Sequence, residues 1–260
     1  RVTEVIDCWY DSGAMPFAQW GYPHMPGSKE KFNLAFPADF ISEAIDQTRG
    51  WFYSLITEAT LLNDSFAKTS GKNANYPLPY KTCLVLGHVG DEKGEKLSKS
   101  NPDHQTPKYD PNAILDEEGA DALRWFFYSS TNPWTSARFS RSGVREAQKE
   151  FLIKLRNVYS FFVIYANIDG FNPNQLKLGI KDRTLLDRWI LSELHKTIAE
   201  TRTRLDNYDI YAAAQGLNTF VESLSNWYVR RSRDRFWSGW QTKDMSSAHD
   251  CEKLSAYWTL

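Results

Sequence analysis

The chain has 260 residues, 42% hydrophobic and 24% charged, an ordinary globular balance with room for one large domain or two modest ones. With 31 basic and 32 acidic residues the net charge is −1, which excludes a global electrostatic funnel for nucleic acid; any such contact has to come from a local patch. Cys8, Cys83 and Cys251 are widely separated and make no CxxC spacing, so a reducing, cytoplasmic setting is expected and no zinc motif; no apolar run reaches membrane-spanning length and no signal peptide opens the chain.

In chain order, Arg1–Ile6 reads as a strand entered without a start, and Cys251–Leu260 as a helix stopped mid-pattern, so both ends are expected to be interior points of a longer polypeptide. Trp51, Leu55, Ala59 and Leu62 recur at helical spacing and predict a helix over about Gln47–Leu62. Lys81–Val89, a compact apolar run between Pro79 and Gly90, predicts a buried strand. Strand and helix in alternation argue for an α/β layer over residues 1–115. Asp110-Pro111 opens a helical stretch through Leu115, and Gly119 to Trp125 starts another, within a junction over 116–143.

From 144 to 260 nearly everything reads as an antiparallel helix bundle, without internal repeat or low-complexity segment. One helix carries Phe151, Leu155, Val158, Phe162 and Tyr165 and stops at Asp169-Gly170. The next, with Asp182 as a candidate cap, carries Leu186, Ile190, Leu194, Ile198 and Leu205. A third is expected from about Ile210 to Phe236. Its apolar stripe is Ala213, Leu217, Phe220, Leu224 and Trp227, and continuing the spacing lands on Arg231 and Arg235.

Four stretches carry candidate chemistry. Lys96-Leu97-Ser98-Lys99-Ser100 follows the buried strand and a turn, Gly90 to Gly94. Breaking ATP between its α and β phosphates builds negative charge on pyrophosphate, and two lysines on a Gly-hinged loop can close on that charge while serine adds a donor. A solvated loop would read the same, and no GxxxxGK[ST] pattern is present. In Glu43-Ala44-Ile45-Asp46-Gln47-Thr48-Arg49-Gly50-Trp51-Phe52, acidic groups ahead of a helix can bind ribose hydroxyls or an ammonium group, or simply favour the helix start. Asp7-Cys8-Trp9-Tyr10-Asp11-Ser12-Gly13 brings a second tryptophan, pocket wall or core. Leu224 to Trp237 holds Arg230, Arg231, Arg233 and Arg235 among aromatic residues, suited either to phosphate contact and base stacking or to salt bridges with a neighbouring helix.

Together these stretches resemble the isoleucyl branch of the class I aminoacyl-tRNA synthetases, and the resemblance covers nearly the whole chain. Lys96–Ser100 is similar to the KMSKS signature, with Leu97 in place of Met at little cost in volume. Glu43–Trp51 resembles E-G-x-D-Q-x-R-G-W, with Ala44 where Gly is usual. Asp7–Gly13 looks like the D-x-W-x-D-S-G segment after the editing insertion, and Leu224–Trp237 like L-S-N-W-Y-V-R-x-S-R-x-R-F-W.

The resemblance implies a partial Rossmann-like nucleotide-binding sheet followed by an all-α helix bundle. It implies Lys96, Ser98 and Lys99 at the ATP phosphates, and Gly87 and His88 beside the adenine. Glu43, Asp46 and Gln47 would hold the adenylate, with Asp46 on the ribose, while Trp9 and Trp51 wall a branched aliphatic pocket. Arg230, Arg231, Arg233 and Arg235 would face tRNA. It further implies ATP with Mg2+, isoleucine and tRNA(Ile) as partners; no zinc site is expected in this chain, from its cysteine spacing. The family's H-I-G-H type motif is missing, and Gly87-His88-Val89 is not one. The stretch alone is therefore expected not to activate isoleucine and to need the remainder of its polypeptide. A valyl-tRNA synthetase fragment, or a non-catalytic tRNA-binding helical protein, remains an alternative reading.

Overall fold

A computed structural model describes residues 3–5, 7–63, 78–174, 178–242 and 247–260. The chain divides into two compact units, residues 1–89 with 133–136, and residues 90–132 with 137–260. The division falls before the 90–100 loop rather than near residue 115, because that loop is bonded to the chain that follows it. The Gly90 carbonyl accepts from the Phe139 N–H at 2.9 Å, and Lys108 pairs with Glu92 at 2.8 Å.

The first unit contains α1 (Cys8–Ala18), α2 (Ser28–Ala35), β1 (Ala38–Ala44), a 3-10 turn (Ile45–Arg49), α3 (Trp51–Leu61) and β2 (Tyr80–Leu86). The two strands run parallel, from Ala38 opposite Tyr80 to Ala44 opposite Leu86. Parallel pairing requires a crossover, and α3 lies in it. Phe52 and Leu55 of α3 pack on Ile41, Tyr80, Cys83 and Val85 of the strands. Its Ala59 joins Phe17 and Phe32 in a second cluster with Trp20, Tyr22 and Phe36. Each such large buried side chain contributes about 2 kcal/mol of transfer free energy. The helix expected from Gln47 starts as a 3-10 turn and becomes α-helical only at Trp51, after Gly50 breaks the helical dihedrals. Of the strand expected over Arg1–Ile6, Arg1, Val2 and Ile6 lie outside the described residues, and Thr3 to Val5 are not strand. Val5 is 95% exposed, and among the described residues no strand pairs with Thr3 to Val5.

The second unit is helical apart from its opening loop and the two-residue strand Ala137–Arg138. It comprises α4 (Pro111–Glu118), α5 (Ala120–Ser130), α6 (Arg141–Ala147), α7 (Lys154–Asp169), α8 (Leu185–Asp206), α9 (Ile210–Glu222), α10 (Arg230–Trp237) and α11 (Ala248–Thr259). Asp110 caps α4 by accepting from the Asn112 N–H at 3.0 Å, and Gly170 ends α7 at φ 63°. Asp182 does not cap α8. It lies in a separate 3-10 turn, and Thr184, next to the first helical residue, takes the cap by accepting from the Asp187 N–H. Val158, Ile190, Tyr228 and Val229 form one core cluster, and Phe236, Ala256 and Tyr257 another.

Two wide π-helical turns, Gln148–Ile153 and Ser223–Val229, join α6 to α7 and α9 to α10. The second corrects the expected stripe. A π turn adds a residue, so the buried side after Leu224 passes to Tyr228, Ser232 and Phe236, while Trp227 stands 50% exposed.

Candidate functional site

The carboxyl ends of parallel strands are where α/β sheets place ligands. Here Glu43 lies opposite Val85 and Ala44 opposite Leu86, so the chain leaves both strands at the same end, through Ile45–Arg49 on one and Gly87-His88 on the other. Gly87 tolerates no side chain. A Cβ there would lie 2.5 Å from the Thr135 carbonyl, and its N–H donates to the Pro133 carbonyl at 2.8 Å.

Beside β1 is an open hollow of about 390 Å³ lined by Trp9, Ser12, Met15, Glu43, Gln47 and Trp51. Asp7 caps α1 by accepting from the Trp9 N–H at 2.9 Å, which fixes the helix that presents Trp9, Ser12 and Met15. The Trp51 indole N–H donates to the Ser12 carbonyl at 3.1 Å, tying α3 to α1. The Gln47 amide oxygen accepts from the Trp51 N–H at 2.9 Å, which leaves its NH2 group as the donor for a ligand. The hollow thus has two indoles and a thioether for an apolar group, and a carboxylate and an amide for a polar one.

Of the residues expected to hold an adenylate, Glu43 and Gln47 are brought to both tryptophans. Asp46 is exposed on the 3-10 turn outside the lining, and Gly87 and His88 are at the end of β2 rather than in the hollow. Ser12 and Met15 were not read from the sequence, although the successive steps of three from Trp9 to Ser12 to Met15 along a helix are the signal that reveals them.

In the second unit, Gly90 and Lys96 face each other in an antiparallel bridge closed by Gly94 at φ +90°. Asp91 organises this turn: its Oδ1 accepts from the N–H groups of Lys93 at 2.9 Å and Glu95 at 2.8 Å. Burial works against its charge, but those N–H groups and His104 outweigh burial and hold the carboxyl below its ordinary range. Ser98 and Ser100 exchange a hydroxyl hydrogen bond at 2.7 Å. Leu97, Ser98 and Lys99 line a hollow of about 450 Å³ with His104, Tyr109 and Pro111. Lys96 and Lys99 are exposed, and among the described residues neither makes an ion pair. His104 and Asp91 escaped the sequence reading because no periodicity or motif links them.

The four arginines separate. Arg230, Arg231 and Arg233 are exposed, and the Arg231 guanidinium stacks 3.8 Å from the Trp227 ring. Arg235 instead turns inward, with both terminal nitrogens on the fully buried Asp187. A guanidinium so engaged is not available to RNA phosphate, so Arg235 is corrected to a structural residue. The readable signal was a carboxylate, Asp187, in phase with the apolar Ile190 and Leu194.

Family comparison matches residues 1–139 to the model described as tRNA synthetases class I (I, L, M and V), and residues 187–257 to the anticodon-binding domain of tRNA ligase. An isoleucine–tRNA ligase of Clostridium novyi (strain NT) is 49% identical over all of this chain, and one of Dehalococcoides mccartyi (strain CBDB1) 48%. The chain spans 22% of the first and 23% of the second. Among solved structures, the ternary complex of Agrobacterium radiobacter K84 agnB2 LeuRS with tRNA and LeuAMS superposes with TM-score 0.71 at 17% identity, covering 99% of this chain and 29% of that one.

Proposed function

The chain belongs to the class I tRNA synthetases (I, L, M and V), and from that premise we propose that it is the part of an isoleucine–tRNA ligase carrying half of the catalytic domain and the start of the anticodon-binding domain. The assignment gives residues 1–115 to the catalytic half, 116–143 to a junction and 144–260 to the helical domain. The carrying observation is the hollow in which Trp9, Trp51 and Met15 meet Glu43 and Gln47. An apolar wall beside a carboxylate and an amide suits an aliphatic amino acid, with its ammonium group paired to the carboxylate.

The reaction joins the isoleucine carboxylate to the α phosphate of ATP, releasing pyrophosphate, and then passes the aminoacyl group from the adenylate to a ribose hydroxyl of tRNA, releasing AMP. Such a step needs alignment and charge stabilisation more than a protein nucleophile. Lys96 and Lys99, exposed and without ion pairs among the described residues, act on the charge that develops on pyrophosphate, and Ser98 adds a hydroxyl donor. Glu43 and Gln47 orient the amino acid or its adenylate. Asp46 serves the ribose from the rim, and Gly87 and His88 border the adenine. Arg230, Arg231 and Arg233 contact tRNA. Magnesium accompanies ATP. Among the described residues there is no cluster of three His, Cys, Asp or Glu side chains that could hold a metal. Among those residues no helix is long and apolar enough to cross a membrane, and the proposed setting is the cytoplasm.

The test is ATP–pyrophosphate exchange by the full-length protein with isoleucine or valine. Exchange that prefers isoleucine is expected; a preference for valine sinks the isoleucyl reading, and no exchange with either sinks the synthetase reading. The 260-residue chain alone is expected to give none.

A further inference from the structure

Resting on the proposed reaction, we propose that His104 is a positioning residue for the two-lysine loop: it grips the backbone at Ser98 and so sets where Lys96 and Lys99 can meet the ATP phosphates. The His104 side chain is only 5% exposed. Its Nδ1 lies 3.1 Å from the Ser98 N–H that it accepts, and its Nε2 lies 3.5 Å from Asp91 Oδ2. A ring nitrogen that accepts an N–H carries no proton, so the neutral ring holds its proton on Nε2, facing Asp91. The Tyr109 ring meets the imidazole edge-on, 5.5 Å between centroids.

Asp91 therefore acts twice. One oxygen closes the turn that precedes the lysines, through Lys93 and Glu95, and the other faces the histidine that holds the segment between them. A second clamp lies one residue on, where the Gln105 side-chain amide donates to the Lys99 carbonyl at 2.5 Å. The backbone of the loop is fastened at Ser98 and Lys99 while both ammonium groups stay exposed. Fastening at these two points keeps the backbone that carries both charges in one shape, so that the loop can close on the developing pyrophosphate as a unit.

The experiment compares His104→Ala and His104→Asn in the full-length enzyme, Asn being chosen because its amide oxygen falls near the position of Nδ1. Isoleucine-dependent ATP–pyrophosphate exchange is measured over ATP and isoleucine concentration, together with melting temperature and amide hydrogen exchange of the 96–100 segment. For His104→Ala we expect kcat to fall or KM for ATP to rise by about tenfold. The KM for isoleucine should stay unchanged and exchange in the 96–100 segment should quicken by about tenfold. His104→Asn should restore most of both. Wild-type kcat and KM for ATP in His104→Ala overturn the proposal. So does a loss that raises both KM values, lowers the melting temperature and is not rescued by Asn. If the wild-type enzyme itself shows no exchange of pyrophosphate, the synthetase reading fails, and unchanged amide exchange in His104→Ala would separately overturn the grip on Ser98.

Discussion

Arg235 and Asp187 form a two-pronged ion pair, Nη1 to Oδ1 at 2.8 Å and Nη2 to Oδ2 at 2.7 Å, that joins α10 to the first turn of α8. Asp187 is fully buried, and Tyr228 and Ser255 donate their hydroxyls to the same carboxylate. Arg235→Ala would strand that charge in the core. A cost of about 3–5 kcal/mol is expected by urea denaturation. A loss below about 1 kcal/mol, the worth of a surface pair, would place the interaction outside the core.

The same carboxylate sets an acid limit. Burial opposes its charge, but Arg235, Ser255 and Tyr228 outweigh burial and lower it to about 2. A folded-state value below the unfolded one contributes stability above the unfolded value, near about 4, that disappears as pH falls through the folded value. Melting temperature should therefore drop between about pH 4 and 2, and Asp187→Asn should lack that part of the slope. Parallel slopes in the two proteins would refute the assignment.

Arg231 differs from Arg235 in its surroundings, exposed and stacked on Trp227. Arg231→Glu in the full-length enzyme is expected to weaken tRNA binding and reduce its salt dependence by about one unit of slope, with melting temperature preserved. Unchanged affinity would remove Arg231 from the RNA-facing set.

Lys99→Ala and Lys96→Ala delete exposed groups that make no ion pair among the described residues, so stability should hold while kcat for adenylate formation falls by about 100-fold or more. Equal activity in both variants and wild type would make the loop a solvated surface segment.

Trp51→Phe removes the donor that reaches the Ser12 carbonyl and shortens the wall of the hollow. A rise in KM for isoleucine of about tenfold is expected, with KM for ATP unaffected. The reverse pattern would assign the hollow to the nucleotide.

Much of the architecture was legible because it rests on local chemistry. Asp110-Pro111 starts α4, Gly170 stops α7, and the apolar run before Gly90 forms β2, half-buried rather than buried; a cap and a left-handed residue set the first two, and packing of α3 on the strand the third. At the amino end, Thr3 to Val5 are not strand, because apolar alternation does not by itself supply a partner. Asp182 failed as a cap because Thr184 is the residue adjoining the helix. That Trp9 and Trp51 share a hollow follows from two motifs that each carry a tryptophan. The His104–Ser98 contact and the inward turn of Arg235 were not legible, since both depend on which segments tertiary packing brings together.

The wide turn at Ser223–Val229 works as a phase shifter in an otherwise uninterrupted rod. Excising one amino acid from it would restore a regular spiral and rotate everything downstream by roughly 100°. Arg235 would then swing off Asp187 while its exposed neighbours turned toward the interior. Alignments of relatives should consequently tolerate substitutions along this stretch far better than gaps.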